Sequence, residues 1–189
     1  MTASCGRGDW LDTFRARTLM LPDSLAARAA PLVRRIHMRL TELILPETVV
    51  TGLVSSSRDD VLQSIVADLD GKGLIADSDA TSRDLLARER VMSTGVGNGV
   101  AIPHAYTDGV TRLLAGLYRT SEPIPFGAPD DGAVDLFFIV LGPRESRRDH
   151  IRILAKISRL IGHTDFREDL RRAQDAGAVA AVLRRFGER

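Results

Sequence analysis

Ser93-Thr94-Gly95-Val96-Gly97-Asn98-Gly99-Val100-Ala101-Ile102-Pro103-His104 sets three alternating glycines ahead of a short apolar run, a proline and a histidine. Gly95, Gly97 and Gly99 permit a backbone whose N–H groups turn inward as an anion nest, an arrangement suited to a phosphoryl group. Val100 to Ile102 reads as a short strand that ends in the histidine. The run is not a Walker loop, because no Gly-Lys-Ser/Thr follows it. Nor is it the dinucleotide fingerprint, because these glycines precede a strand where that fingerprint needs a helix. ATP and NAD are therefore disfavoured.

Toward the N-terminus, a helix is expected from about Thr81 to Arg90, with Leu85 and Leu86 inward and Arg88, Glu89 and Arg90 at its end. Val61, Leu62, Ile65, Val66 and Leu69 repeat at helical spacing, with Ser57 and Asp60 ahead of them as a capping box and Gly71 and Gly73 behind them as a stop. Thr48 to Val54 is β-branched and strand-like. Toward the C-terminus, Leu113 to Tyr118 and Val134 to Leu141 are strand candidates, the second apolar enough to be central and covered on both faces. Pro123, Pro125, Gly127, Pro129 and Gly132 mark a loop between them. Ile151, Leu154, Ile157, Leu160 and Ile161 form an apolar helical stripe, followed by a segment from Phe166 and a last one from Ala178 to Phe186. Strands interspersed with helices indicate an α/β fold, a mostly parallel or mixed sheet with helices on both sides.

The chain has 189 residues, 44% hydrophobic and 27% charged, the composition of an ordinary folded domain. With 26 basic and 25 acidic residues the net charge is +1, so no global field recruits nucleic acid and any anion site must be local. One cysteine, Cys5, forms no internal disulfide, and no CxxC, HExxH or related spacing points to a metal. No apolar stretch approaches the ~18 residues of a membrane span and no signal peptide opens the chain, so a cytoplasmic location is expected. Residues 1–37, arginine-rich with Gly6, Gly8, Pro22 and Pro31, read as an N-terminal extension, and residues 38–189 as the domain.

Four histidines leave two in informative contexts. His104 follows the glycine run; imidazole, with an unperturbed pKa of about 6.5, is largely an unprotonated nucleophile near neutrality, and its phosphoramidate passes the group onward. Taken alone, a histidine at a strand end is also a common hydrogen-bonded structural residue. Arg88 is placed to return as a cation for phosphoryl oxygens, or else to be a solvated helix-end arginine. His150 lies in the first turn of a helix, whose positive end favours a neutral imidazole and a nearby anion. Ser93 and Ser146 lack the Gly-x-Ser-x-Gly elbow of a hydrolase.

Arg88-Glu89 with Ser93 to His104 closely resembles the active-site signature of the type-2 enzyme IIA proteins of the sugar phosphotransferase system, the fructose/mannitol/nitrogen-regulatory class. The resemblance continues through Phe126-Gly-Ala-Pro-Asp, Val134-Asp-Leu-Phe-Phe-Ile-Val-Leu and His150-Ile-Arg-Ile-Leu-Ala-Lys-Ile-Ser-Arg-Leu, from roughly Met38 to the C-terminus. It implies a mixed sheet sandwiched by helices, His104 as the phosphorylated residue, and His150 and Arg88 as its assistants. Thr94, Gly95, Gly97, Asn98 and Gly99 are then expected as the phosphoryl-binding loop. It implies a phosphotransferase component with a phosphohistidine intermediate, no metal or nucleotide cofactor, an HPr-type donor and a IIB acceptor. The alternative within the class is a nitrogen-type regulatory protein whose phosphorylation state selects its partners. Tyr106 stands where the fructose branch commonly has a basic residue, while Gly97-Asn98-Gly99 is similar to the nitrogen-regulatory branch. No IIB or membrane IIC domain follows, so the acceptor is expected on another polypeptide.

Overall fold

The computed structural model describes residues 39–187; the expectations for residues 1–37 lie outside them. The short helix α1 (Leu40–Leu43) leads directly into strand β1 (Ile44–Leu53), longer than the expected strand because it runs through Pro46. Proline removes a ladder donor and is confined to edges and bulges. Here β1 is the sheet edge, and its register against β5 shifts between Ile44 and Val49, across the proline.

Helix α2 (Arg58–Gly71) starts at Ser57, whose hydroxyl accepts from the Asp60 N–H. Asp60 returns the bond one residue early, its Oδ2 accepting from the Ser56 N–H at 2.8 Å. Its apolar residues Val61, Leu62, Ile65, Val66 and Leu69 are all buried. Gly71 stays helical, while Gly73, at φ 66°, supplies the left-handed stop. Helix α3 (Ser78–Val91) begins a turn earlier than expected because Asp77 caps it, accepting from the Ala80 N–H at 2.8 Å.

Strands β2 (Gly95–Gly97), β3 (Val100–Ala101), β4 (His104–Tyr106), β5 (Leu114–Ile124) and β6 (Val134–Gly142) complete a six-stranded sheet of order β1-β5-β6-β3-β2, with β4 also on β6. Pairs β1·β5, β3·β6 and β4·β6 are parallel, and β5·β6 and β2·β3 antiparallel. Val134–Gly142 is central, as its unbroken apolar run demands. A 3₁₀ turn (Arg144–Ser146) then opens helix α4 (Arg147–Ile161), followed by α5 (Thr164–Arg172) and α6 (Ala176–Gly187).

Successive side chains of β6 alternate between two cores. Leu136, Phe138 and Val140 join Ile153, Ile157, Phe166 and Val179 of α4, α5 and α6. Phe137, Ile139 and Leu141 join Val61, Ile65 and Leu85 of α2 and α3. The fold is a mixed sheet sandwiched by helices, as the sequence implied.

Candidate functional site

His104 is positioned by an interrupted parallel strand. Val100 pairs with Leu136, Ala101 with Phe137, and His104, Ala105 and Tyr106 with Val140, Leu141 and Gly142, so the register is unchanged from end to end. The break at Ile102 and Pro103 exists because Pro103 has no N–H to give; its carbonyl still accepts from the Val140 N–H at 3.0 Å. The histidine therefore opens β4 rather than closing the strand before it. Ile102 faces the α4–α6 core and Ala101 and Ala105 the opposite one. Two-residue alternation puts His104 and Tyr106 on the Ile102 side, at the sheet end beside α4.

A groove of about 420 Å³ opens there, with Asp84 and Arg88 of α3 on one side and His150 and Leu154 of α4 on another. His104, Tyr106 and Arg144 complete its polar lining. The structure thus brings Arg88, His104 and His150, far apart in sequence, into one depression. His104 Nδ1 lies 2.8 Å from the Ile102 carbonyl oxygen. Burial holds the His104 pKa below its usual value, opposed by that hydrogen bond and reinforced by the Arg88 charge. Arg88 is itself anchored, its Nη1 donating to the Met92 carbonyl at 2.9 Å.

His150 takes the inward slot at the head of the α4 stripe, ahead of Ile153, Ile157 and Leu160. Ile151, expected in the core, is 56% exposed and lines the groove instead. His150 is 1% exposed, and among the described residues neither ring nitrogen has a hydrogen-bond partner. Its ring lies 4.5 Å from that of Tyr106 and 5.9 Å from that of His104, centroid to centroid. Burial, then the proximity of His104, pushes its pKa down to about 4. Gly142 leaves room for the turn that leads into α4, since a Cβ there would stand 2.5 Å from Ser146 Oγ and 2.9 Å from a Leu113 methyl.

The glycine run lies elsewhere. Asn98 (φ 56°) and Gly99 (φ 76°) form the two-residue left-handed turn between β2 and β3, the geometry for which Asn-Gly is the strongest hairpin signal. Three of the five amides expected to cradle a phosphoryl group already have protein partners. The Thr94 N–H donates to Glu89, that of Gly95 to the Ser93 hydroxyl, and that of Asn98 to Asp130. None of Thr94, Gly95, Gly97, Asn98 and Gly99 lines the His104 groove.

Sequence reading missed Asp84 and Arg144 as groove residues. Asp84 stands four residues before Arg88, on the same helix face, a spacing that was available as a signal. Arg144 carried none, because only the 3₁₀ turn after β6 brings it back. Tyr106, noted as an unusual residue, covers His150 and has the Arg147 guanidinium 5.8 Å above its own ring. Among the described residues no helix is long and apolar enough to cross a membrane, and no three His, Cys, Asp or Glu side chains gather to hold a metal ion.

Comparison with known proteins agrees with this architecture. Residues 42–186 match the family described as phosphoenolpyruvate-dependent sugar phosphotransferase system, EIIA 2. The nitrogen regulatory protein of Bradyrhizobium diazoefficiens is 35% identical over 149 residues, 77% of this chain and 95% of that protein. The fructose-specific EIIA component of Haloferax volcanii is 41% identical over 111 residues, 59% of this chain and 72% of that protein. The crystal structure of the nitrogen regulatory protein IIA-Ntr from Neisseria meningitidis superposes with a TM-score of 0.71 at 30% identity, covering 76% of this chain and 98% of that one. With nearly the whole described sequence matched and the same fold found at that identity, the chain belongs to the type-2 EIIA family of the phosphoenolpyruvate-dependent sugar phosphotransferase system.

Proposed function

We propose that the chain is a phosphoryl carrier in which His104 accepts a phosphoryl group at Nε2 from an HPr-type phosphohistidine and passes it to a IIB protein or domain. The observation that carries this reading is the hydrogen bond from His104 Nδ1 to the Ile102 carbonyl. A carbonyl oxygen only accepts, so the neutral ring keeps its proton on Nδ1 and its lone pair on Nε2. That lone pair forms the new N–P bond as the donor's N–P bond breaks in line. The released electron pair returns to the donor imidazole, which takes up a proton from solvent, while His104, neutral before attack, keeps its Nδ1 proton on the Ile102 carbonyl, carries the positive ring charge once phosphorylated and needs no base. One phosphohistidine replaces another, so catalysis reduces to positioning and charge stabilisation.

Arg88 supplies the fixed cation, and Arg144 adds a second positive charge at the groove. His150, buried and without a partner among the described residues, supplies an imidazole whose hydrogen bond becomes favourable once a phosphoryl anion is present. The family's description supports phosphoryl transfer in a phosphoenolpyruvate-dependent system in general, and the two partners are part of the proposal. A second reading is favoured by the relatives named nitrogen regulatory protein, which align along almost their whole length. In that reading the same phosphohistidine persists and selects regulatory partners.

The test is to mix the full chain with phosphoenolpyruvate, enzyme I and HPr and to read intact mass. One acid-labile phosphoryl group is expected on wild type and none on His104→Ala, with Arg88→Ala on the order of a hundredfold slower. A folded His104→Ala protein that still acquires the group would sink the assignment. Adding purified IIB proteins then separates the two readings: rapid discharge belongs to sugar uptake, and a persistent phospho-form to regulation.

A further inference from the structure

We propose that Glu89 is a positioning residue for His104, acting through Thr94 and Ile102; the proposal deepens the carrier reading above and rests on it. Glu89 ends the inward face of α3, four residues after Leu85 and eight after Thr81, and is 2% exposed. A carboxylate so buried is costly unless its oxygens are satisfied. Both are satisfied by one residue: Oε1 accepts from the Thr94 N–H at 2.9 Å and Oε2 from the Thr94 hydroxyl at 2.6 Å. Two bonds to two oxygens fix the orientation of Thr94 as well as its distance from the helix.

From Thr94 the restraint passes through two further hydrogen bonds. Its carbonyl accepts from the Ile102 N–H at 3.0 Å, and the Ile102 carbonyl accepts from His104 Nδ1 at 2.8 Å. The Ile102–Pro103 peptide is the element that aims this carbonyl. On the β6 side the Val140 N–H donates to the Pro103 carbonyl, one residue past it, and Pro103 offers no donor of its own. The hairpin side is held by Thr94, and Thr94 by Glu89. The adjacent Arg88 is tied down in the same helix end by its bond to Met92. One buried carboxylate thus fixes where the acceptor imidazole carries its proton and stands beside the cation of the same groove.

The test is nuclear magnetic resonance of ¹⁵N-labelled imidazole in the full chain, read alongside the rate of phosphorylation by phospho-HPr. Wild type is expected to show His104 as the Nδ1–H tautomer. Glu89→Ala is expected to show a mixture with the Nε2–H form and phosphorylation slowed on the order of a hundredfold. Glu89→Gln, which can accept from the Thr94 N–H and donate to its hydroxyl, is expected to restore both to near wild type. If Glu89→Ala does not fold, Glu89→Met fills the same volume without the acceptors and carries the same expectations. A folded Glu89→Ala or Glu89→Met protein that keeps the pure Nδ1–H tautomer overturns the proposal, whatever its rate. A wild type that shows the tautomer shift on mutation but takes no phosphoryl group sinks the carrier reading and leaves the positioning role standing.

Discussion

Burial governs protonation at both groove histidines, and its sign has a measurable consequence. Burial pushes the His150 pKa down to about 4 in the folded protein, from an ordinary imidazole value of about 6.5. Between those values the unfolded chain binds a proton that the folded chain does not. Stability is therefore full above pH 6.5 and falls as pH drops toward 4, by about 3 kcal/mol from this group alone. His104, lowered in the same direction, adds to the slope. Urea denaturation of wild type across this window is expected to show the loss, and His150→Phe to flatten most of it, leaving the part due to His104. A variant with the wild-type slope would mean that His150 does not titrate in this range. The same depression keeps His104 nucleophilic, so phosphoryl acceptance is expected to hold its rate down through pH 6.5.

Among the elements, the β2–β3 hairpin is the one where the structure departs from the anion-nest reading of its glycines. Alternating glycines suit an anion nest, but Asn98-Gly99 forms a two-residue turn, and the N–H groups of Thr94, Gly95 and Asn98 are taken by Glu89, Ser93 and Asp130. The Gly99 carbonyl accepts from the Asp135 and Leu136 N–H groups at 3.0 Å, locking the hairpin to β6. A Cβ on Gly99 would need a left-handed backbone and would stand 2.8 Å from Asp135 Oδ1, within the fork that Arg171 makes on that carboxylate. Gly99→Ala is expected to cost about 1–3 kcal/mol in chemical denaturation. Gly71, helical with nothing within 4 Å of its added Cβ, is the contrast: Gly71→Ala is expected to gain up to about 1 kcal/mol. Helices and the central strand were legible because periodicity and unbroken apolar runs are local. The start of α3 was not, because Asp77 caps it ahead of the first apolar repeat. Arg144 in the groove was not either, because it depends on how β6 returns to α4, and tertiary return paths leave no local trace.

At the scale of the whole molecule, the sheet separates two apolar cores, and the groove lies where helices from the two faces meet its end: Arg88 comes from α3, His150 from α4. Their relative placement therefore depends on both cores folding together. Phe126 packs edge-on against Phe137 on the α2–α3 side, at 5.3 Å between centroids, and Phe166 stacks on Phe138 on the α4–α6 side, at 6.3 Å. Each is fully buried, and Phe137 and Phe138 are neighbours on β6 that point to opposite faces. If β6 couples the faces into one unit, Phe126→Leu and Phe166→Leu each lose about 1–2 kcal/mol and the double variant loses their sum to within about 0.5 kcal/mol, since they share no partner. All three variants are then expected to unfold in a single transition with coincident fluorescence and circular-dichroism curves. Two separated transitions in either single variant would mean that one face melts alone. In that case Arg88 and His150 would lose their common frame before the protein unfolds, and phosphoryl acceptance by that variant would be expected to fail at the first transition rather than the second.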